Sequence, residues 1–338
     1  MVRRDTHGFR LGALAAVTAL VVTSGAAAQS PNTLRIVVGS SVGGGYDTYA
    51  RVLARHIGRH IPGQPAVIVQ NMPGAAGLKA IQYLDSGAPQ DGSVITAFNP
   101  GMIAESLLNA DKVRFKFTDV AWIGSITRDQ RVCYAWAATG IRSWDDLKAY
   151  KQFNIGTPAR GSSSFLNSAV LKNMFGVRVR HVLGYPGSAE QRLAIERGEL
   201  DGDCGTWSSI PPDWISSRKA IPLVSFSLDP IPGLPADVPF AGHLLADQES
   251  KALLDVLITP DMLGRPYVAS KQVPADRLAV LRAAFDAAVT DAQFLAETEK
   301  FELPVIGPTA GGDSEKIIAS IYATPPALVA RAQAIVGR

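Results

Sequence analysis

Short β-branched apolar runs alternate along the chain with longer segments whose apolar residues recur at helical spacing, a pattern that predicts α/β architecture with largely parallel sheets. LRIVVG (34–39) precedes a helix from Asp47 in which Ala50, Leu53, Ala54 and Ile57 follow an i, i+3, i+4, i+7 spacing. PAVIVQN (65–71), SVITAF (93–98) and VAWIGSI (120–126) read as further strands. A second series runs through VCYAWAA (132–138), FNIGTP (153–158), VRVRHVLGY (177–185), ELDGDC (199–204) and IPLVSFS (221–227). After the Pro-rich loop PIPGLPADVP (230–239), GRPYVAS (264–270) is one more strand. From Pro274 the pattern is helical, with Leu278, Leu281, Phe285 and Ala288 on one face. Two α/β series of similar size predict two lobes and a cleft between them, where a ligand would sit by default.

Residues 1–28 stand apart from this pattern. MVRRDTHGFR is basic, LGALAAVTALVV is apolar and GAAA is a small-residue cleavage signal, so a secretory leader cleaved near Ala28 is expected. Its apolar run of about 12 residues is shorter than the roughly 20 that span a bilayer. Removing Arg3, Arg4, Arg10 and Asp5 with the leader leaves 30 basic and 29 acidic side chains, a balance that offers nothing to nucleic acid or anionic lipid. The exported chain keeps two cysteines, Cys133 and Cys204. An oxidising compartment favours a Cys133–Cys204 disulfide; two buried free thiols are the alternative.

IVVGSSVGGGYD (36–47) carries Gly39, Ser41 and Gly43 in the Gly-x-Ser-x-Gly spacing of a hydrolase nucleophile. In an α/β-hydrolase several strands and an oxyanion-hole loop precede that elbow, whereas a single strand precedes Ser41. The later histidines, His181 and His243, sit in no recognisable triad motif. A secreted serine hydrolase using Ser41 therefore stands as the distant alternative. The phosphate-loop pattern fails too, because Gly45 and Tyr46 follow Gly44 where a lysine should stand. The dinucleotide pattern starting at Gly43 meets Thr48 instead of a third glycine. No metal-ligand spacing is present in the sequence, and no cofactor is expected.

What the loop retains is a set of backbone N–H groups at a helix start, a place suited to a carboxylate. Asp47 is expected as the N-cap. FNIGTPARGSSSFLNSAVLKNMFG (153–176) repeats the design in the second series, with a loop of Gly156, Thr157, Gly161, Ser162 and Ser163, a cap around Ser163 or Ser164, and Leu166, Ala169, Val170 and Met174 inward. Two helix N-termini facing each other would suit a small molecule with two carboxylates. The expected ligand-binding residues are Ser41, Gly43, Gly44, Asp47, Asn99, Thr157, Arg160, Ser162, Ser163, Tyr185 and Asp203, with Gly187 and Trp207 as further lining candidates.

These residues also carry a resemblance to the solute-binding receptors of tripartite tricarboxylate transporters, the Bug receptors. Gly44, Gly45, Asp47, Ala50 and Arg51 stand in the register of that family's first glycine loop. NMPGAAG (71–77), APQDG (88–92), GTPARGS (156–162), YPG (185–187), GELDGD (198–203) and LPADVP (234–239) match its later motifs in order. Phe165-Leu166 followed by Asn167 replaces its usual His-Leu, and DCGTWSSIPPDW is unusual. The resemblance implies a type II-like, two-lobed periplasmic binding protein and not an enzyme, each lobe a mainly parallel sheet flanked by helices. It implies a leader (1–28), a first lobe of 29–127 plus 264–338, and a second lobe of 128–263. The two loops would hold the ligand's carboxylates, and the receptor, expected to be a monomer, would deliver a small organic acid to the transporter's membrane permease subunits. A sensor that presents its ligand without transport is the other alternative.

Overall fold

A computed structural model describes Met1 and residues 32–337, and the expected leader and its cleavage site fall outside them. The chain opens with β1 (Thr33–Val38), α1 (Gly45–Ile57), β2 (Ala66–Asn71), α2 (Leu78–Ser86), β3 (Val94–Ala97), α3 (Gly101–Leu108) and β4 (Val120–Ser125). It continues with β5 (Arg131–Trp136), α4 (Trp144–Ala149), β6 (Phe153–Thr157), α5 (Ser163–Asn173), β7 (Val179–Leu183) and α6 (Ser188–Glu196). Then follow β8 (Gly202–Thr206), α7 (Pro212–Ser216), β9 (Ala220–Ser225) and α8 (Gln248–Ile258). The last part comprises β10 (Pro266–Ser270), α9 (Ala275–Thr290), α10 (Ala292–Lys300), β11 (Thr309–Ala310), α11 (Gly311–Tyr322) and α12 (Pro326–Val336). Each strand expected from an apolar run is present; β11, two residues long, leaves no periodic signal.

The strands form two sheets, ordered β11-β4-β10-β3-β1-β2 and β7-β6-β8-β5-β9. Both are mixed, which corrects the expectation of mainly parallel sheets. β1 runs parallel to β2 and β3, and β6 to β7 and β8, but β10 is antiparallel to β3 and β4, and β5 to β8 and β9. An apolar run reports burial on both faces and carries no information on direction. β10 arrives after the whole second series and inserts between β3 and β4, so its direction is set by the long return of the chain.

Both sheets are covered on two sides, which explains why β3 and β4 are buried at every position. Ile36, Val38, Tyr49, Leu53, Leu281 and Phe285 pack on one face of the first sheet; Val37, Ile81, Phe98, Trp122 and Ile318 pack on the other. In the second lobe Ile155, Leu166, Val170 and Leu254 form one layer and Tyr134, Ile195, Leu200 and Trp214 the opposite one. α5 was expected to bury one stripe, yet every residue from Ser163 to Leu171 is buried, because the helix lies between β8 on one side and α8 and α12 on the other. Through Ala332 and Val336 the terminal helix α12 joins the second lobe's core. Sheet membership supports a proposed division near 128 and 264, across which α12 returns.

Cys133 of β5 and Cys204 of β8 stand directly opposite in the antiparallel register and form a disulfide, their Cα atoms 3.9 Å apart.

Candidate functional site

The first glycine loop is built by three fixed points. Gly39 at the end of β1 donates its N–H to Ala97 O at 2.9 Å and passes so close to Gly77 that a Cβ would lie 2.6 Å from its Cα. Gly43 has φ +78°, a conformation glycine adopts without cost. Asp47 is the third point. It is not the N-cap, which is Gly44; from inside the first turn it reaches back to accept the Gly43 N–H at 2.9 Å, and it also pairs with Arg51 and Asn71, each at 2.9 Å. Burial pulls its carboxyl upward, and the bonds from Arg51, Gly43 and Asn71 outweigh that, holding it below the usual carboxylate range. The consequence for α1 is that its N-cap carries no side chain and its first turn has no side-chain cap.

The second lobe meets this helix start with a different helix from the one expected. The N-terminus of α5 is already satisfied: Ser162 Oγ accepts from Phe165 N at 3.3 Å, and Asn99 Oδ1, from the first lobe, accepts from Ser163 N at 3.0 Å. The open start belongs to α6, whose N-cap Gly187 provides no side-chain bond. Here the two lobes touch. Ser41 N–H donates to Pro186 O at 3.2 Å and Ser41 Oγ to Glu190 Oε2 at 2.8 Å. A Cβ at 187 would displace Ser41 Oγ from its bond to Glu190, and a Cβ on Gly44 would lie 3.5 Å from Ser188 Oγ.

Between the two helix starts lies a cavity of about 70 Å³ walled by Gly44, Gly45, Tyr46, Asn99, Gly187, Ser188, Gln191, Asp203 and the side chains of Arg131, Tyr134, Arg192 and Arg265. Arg131 and Arg265 are both buried and share one carboxylate, Asp129, at 2.8 and 3.3 Å. The Arg265 guanidinium lies 4.7 and 4.9 Å from the ring centroids of Tyr46 and Tyr49. Burial pushes the Asp203 carboxyl up to about 6 against the pull of Arg131. It also raises Asp261, whose Oδ1 is 2.6 Å from Ser163 Oγ. Backbone N–H groups at two helix starts and guanidinium groups line one cavity, a donor set chemically suited to an anion, with the Asp203 carboxyl among them. Among the described residues no cluster of His, Cys, Asp and Glu is placed to hold a metal ion.

Residues 49–213 match the model of the tripartite tricarboxylate transporter family receptors. That match spans just under half of the chain. Its curated relatives include a UPF0065 protein of Cupriavidus necator, 27% identical over 207 residues, and one of Bordetella bronchiseptica, 24% identical over 259 residues. The first match covers 57% of this chain and 61% of the relative, so the chain spans about three fifths of that protein's length; the second covers 71% and 76%. The fold is shared with the periplasmic binding protein BugD, at a TM-score of 0.70 and 18% identity over 88% of this chain and 95% of that one. It is shared equally with MatC of Rhodopseudomonas palustris, solved with malate (TM-score 0.70, 19% identity, 90% and 98% covered). A second R. palustris protein, solved with adipate, aligns at a TM-score of 0.71, 19% identity and the same coverage. The two-lobed α/β architecture expected from the sequence is thus shared with these solved proteins.

The expected residues are placed differently from one another. Gly44, Asn99 and Asp203 stand on the cavity wall. Ser41, Gly43 and Asp47 shape the first loop, while Thr157, Ser162 and Ser163 are buried in the second loop and are absent from the wall. The Tyr185 ring covers Gly156, where a Cβ would approach its Cε2 to 2.8 Å. Arg160 faces away: it donates to Gly337 O at 3.2 Å and lies over the Phe165 ring, because its loop turns toward the chain's C-terminal end. Trp207 lines a neighbouring open groove. Ser41 has Glu190 as its side-chain partner and no histidine; His56, His60 and His181 pair with Glu297, Asp291 and Ser168, and His243 lies against Phe240. The partner of Ser41 is thus a carboxylate and not the imidazole that a Ser-His-acid triad requires, and none of the four described histidines pairs with it.

Sequence reasoning missed several wall residues, among them Arg131, Arg265, Arg192 and Tyr46. Arg131 and Arg265 each sit at the start of a run of otherwise buried strand residues. A charge leading an apolar strand was the available signal, though it does not say what the charge faces.

Proposed function

We propose that the chain is a periplasmic receptor that captures a small organic acid, a di- or tricarboxylate or a related carboxylate, and delivers it to the membrane permease of a tripartite tricarboxylate-type transporter. One observation carries this reading: the uncapped starts of α1 and α6, one from each lobe, open onto a single cavity beside buried Arg131 and Arg265. Gly44, Asn99 and Asp203 would touch the ligand, and Asp47 would hold the loop in shape. The malate and adipate in the two R. palustris proteins of the same fold support the ligand class. Export to the periplasm agrees with the leader expected at residues 1–28 and with the Cys133–Cys204 disulfide. Ligand binding shifts the lobes toward the closed arrangement, and the permease recognises that form in a monomeric receptor.

A thermal-shift screen of organic acids tests the capture step. An acid at about 100 times its dissociation constant adds roughly 2.7 kcal/mol of stability. If no carboxylate raises the melting temperature, the receptor reading fails. Delivery is tested by uptake of the identified acid into permease-containing vesicles with and without receptor.

A further inference from the structure

The two buried arginines beside the cavity are used differently. Arg131 is committed to the fold of the second lobe: Nη1 is 2.8 Å from Asp129 Oδ2 and 3.4 Å from Thr206 Oγ1, and Nη2 donates to Cys204 O at 2.8 Å. Arg265, 2% exposed, commits only Nη1, which donates to Gly264 O at 2.8 Å and faces Asp129. Nε is buried without a hydrogen-bond partner in both arginines, but that of Arg131 faces Asp261 Oδ2 at 3.9 Å, whereas no such carboxylate faces Nε of Arg265, and Arg265 makes no hydrogen bond through Nη2 among the described residues. Nη2 borders the start of α1, 3.3 Å from where a Cβ on Gly45 would stand.

A buried guanidinium N–H such as that of Nε is costly without an acceptor, and Arg265 lines the cavity. Nε and Nη2 point along one side of the planar group, a spacing that fits the two oxygens of a carboxylate. The rings of Tyr46 and Tyr49 hold that plane in place. The uncapped first turn of α1 lies beside the same edge, so both sets of donors border the same part of the cavity. We propose that Arg265 is the specificity-determining residue of the receptor: its Nε–Nη2 edge takes one carboxylate of the ligand against the start of α1, selecting ionised acids over their amides. This inference rests on the receptor reading above.

The test is isothermal titration of the full receptor with succinate, L-malate, adipate and citrate and with their amides, for wild type, Arg265→Lys and Arg265→Met. Lysine keeps the charge beside Asp129 and lacks the fork, so it decides the question if the methionine variant does not fold. The expected result is a loss of affinity for the best acid of about tenfold with lysine and about a hundredfold with methionine. The preference for acid over amide should fall in parallel, while the ligand-free melting temperature of Arg265→Lys stays near wild type. Wild-type affinity and selectivity in both variants would overturn the inference and leave the receptor reading standing. Failure of wild type to bind any acid would overturn both.

Discussion

Asn99 Oδ1 accepts the N–H of Ser163 at 3.0 Å and the N–H of Gly101 at 2.9 Å, so one carboxamide oxygen joins the loop after β3 to the start of α5 in the other lobe. Asn99→Ala leaves both donors, each on a buried residue, without this acceptor. The expected cost is about 1–3 kcal/mol, seen as a lower urea midpoint. A midpoint equal to wild type would mean that water replaces the cap and that Asn99 serves the cavity alone.

The first loop was legible in the sequence, and the second was legible only in part. Gly39, Gly43, Gly44 and Asp47 lie within nine residues, so a strand-to-helix turn and its anchor follow from local chemistry. The capped state of α5 does not, because its acceptor Asn99 is 64 residues away in the chain. α6, which provides the open helix start instead, announces itself only by the short turn GYPGS (184–188). Arg265 lies in the cavity because β10 inserts between β3 and β4, a pairing that no local pattern encodes.

The disulfide ties two neighbouring strands across a sequence separation of 71 residues. Closing a loop of that size in the unfolded chain is expected to contribute about 2–4 kcal/mol. Cys133→Ala combined with Cys204→Ala should therefore lower stability by that amount in denaturant titration, and reductant should affect wild type but not the double variant. Both sulfurs are buried in the second lobe's core, so part of the loss is packing. Cys133→Ser with Cys204→Ser, which adds buried hydroxyls, should be worse.

Asp203 gives a pH dependence of defined sign. Burial raises its carboxyl from 3.8 to about 6, opposed by Arg131, the Cys204 N–H and Arg192. Between those values the folded chain holds a proton that the unfolded chain releases. Its contribution is fully present below about pH 4 and is lost as pH rises through 6, a change of up to about 3 kcal/mol. Asp203→Asn removes the titration. The stability difference, wild type minus variant, should decline from pH 4 to pH 6 in urea unfolding; a flat or rising difference would show that the carboxyl is solvated in the folded state.

Gly43 and Gly45 are two residues apart and should fail in opposite ways. At Gly43 the backbone has φ +78° and a Cβ would meet nothing within 4 Å, so Gly43→Ala strains the turn without obstructing the cleft. The expected cost is about 1 kcal/mol of stability, with closure intact. At Gly45 the backbone is helical, and a Cβ would come 2.6 Å from Ser209 Oγ across the lobe boundary and 3.3 Å from Arg265 Nη2. Gly45→Ala should leave the ligand-free melting temperature near wild type, since alanine favours the helix. It should hold the lobes apart, so that small-angle scattering with saturating acid gives a larger radius of gyration than wild type, and affinity should drop about tenfold or more. If Gly43→Ala impairs closure as much as Gly45→Ala does, the close approach of α1 to Ser209 is not what seals the chamber.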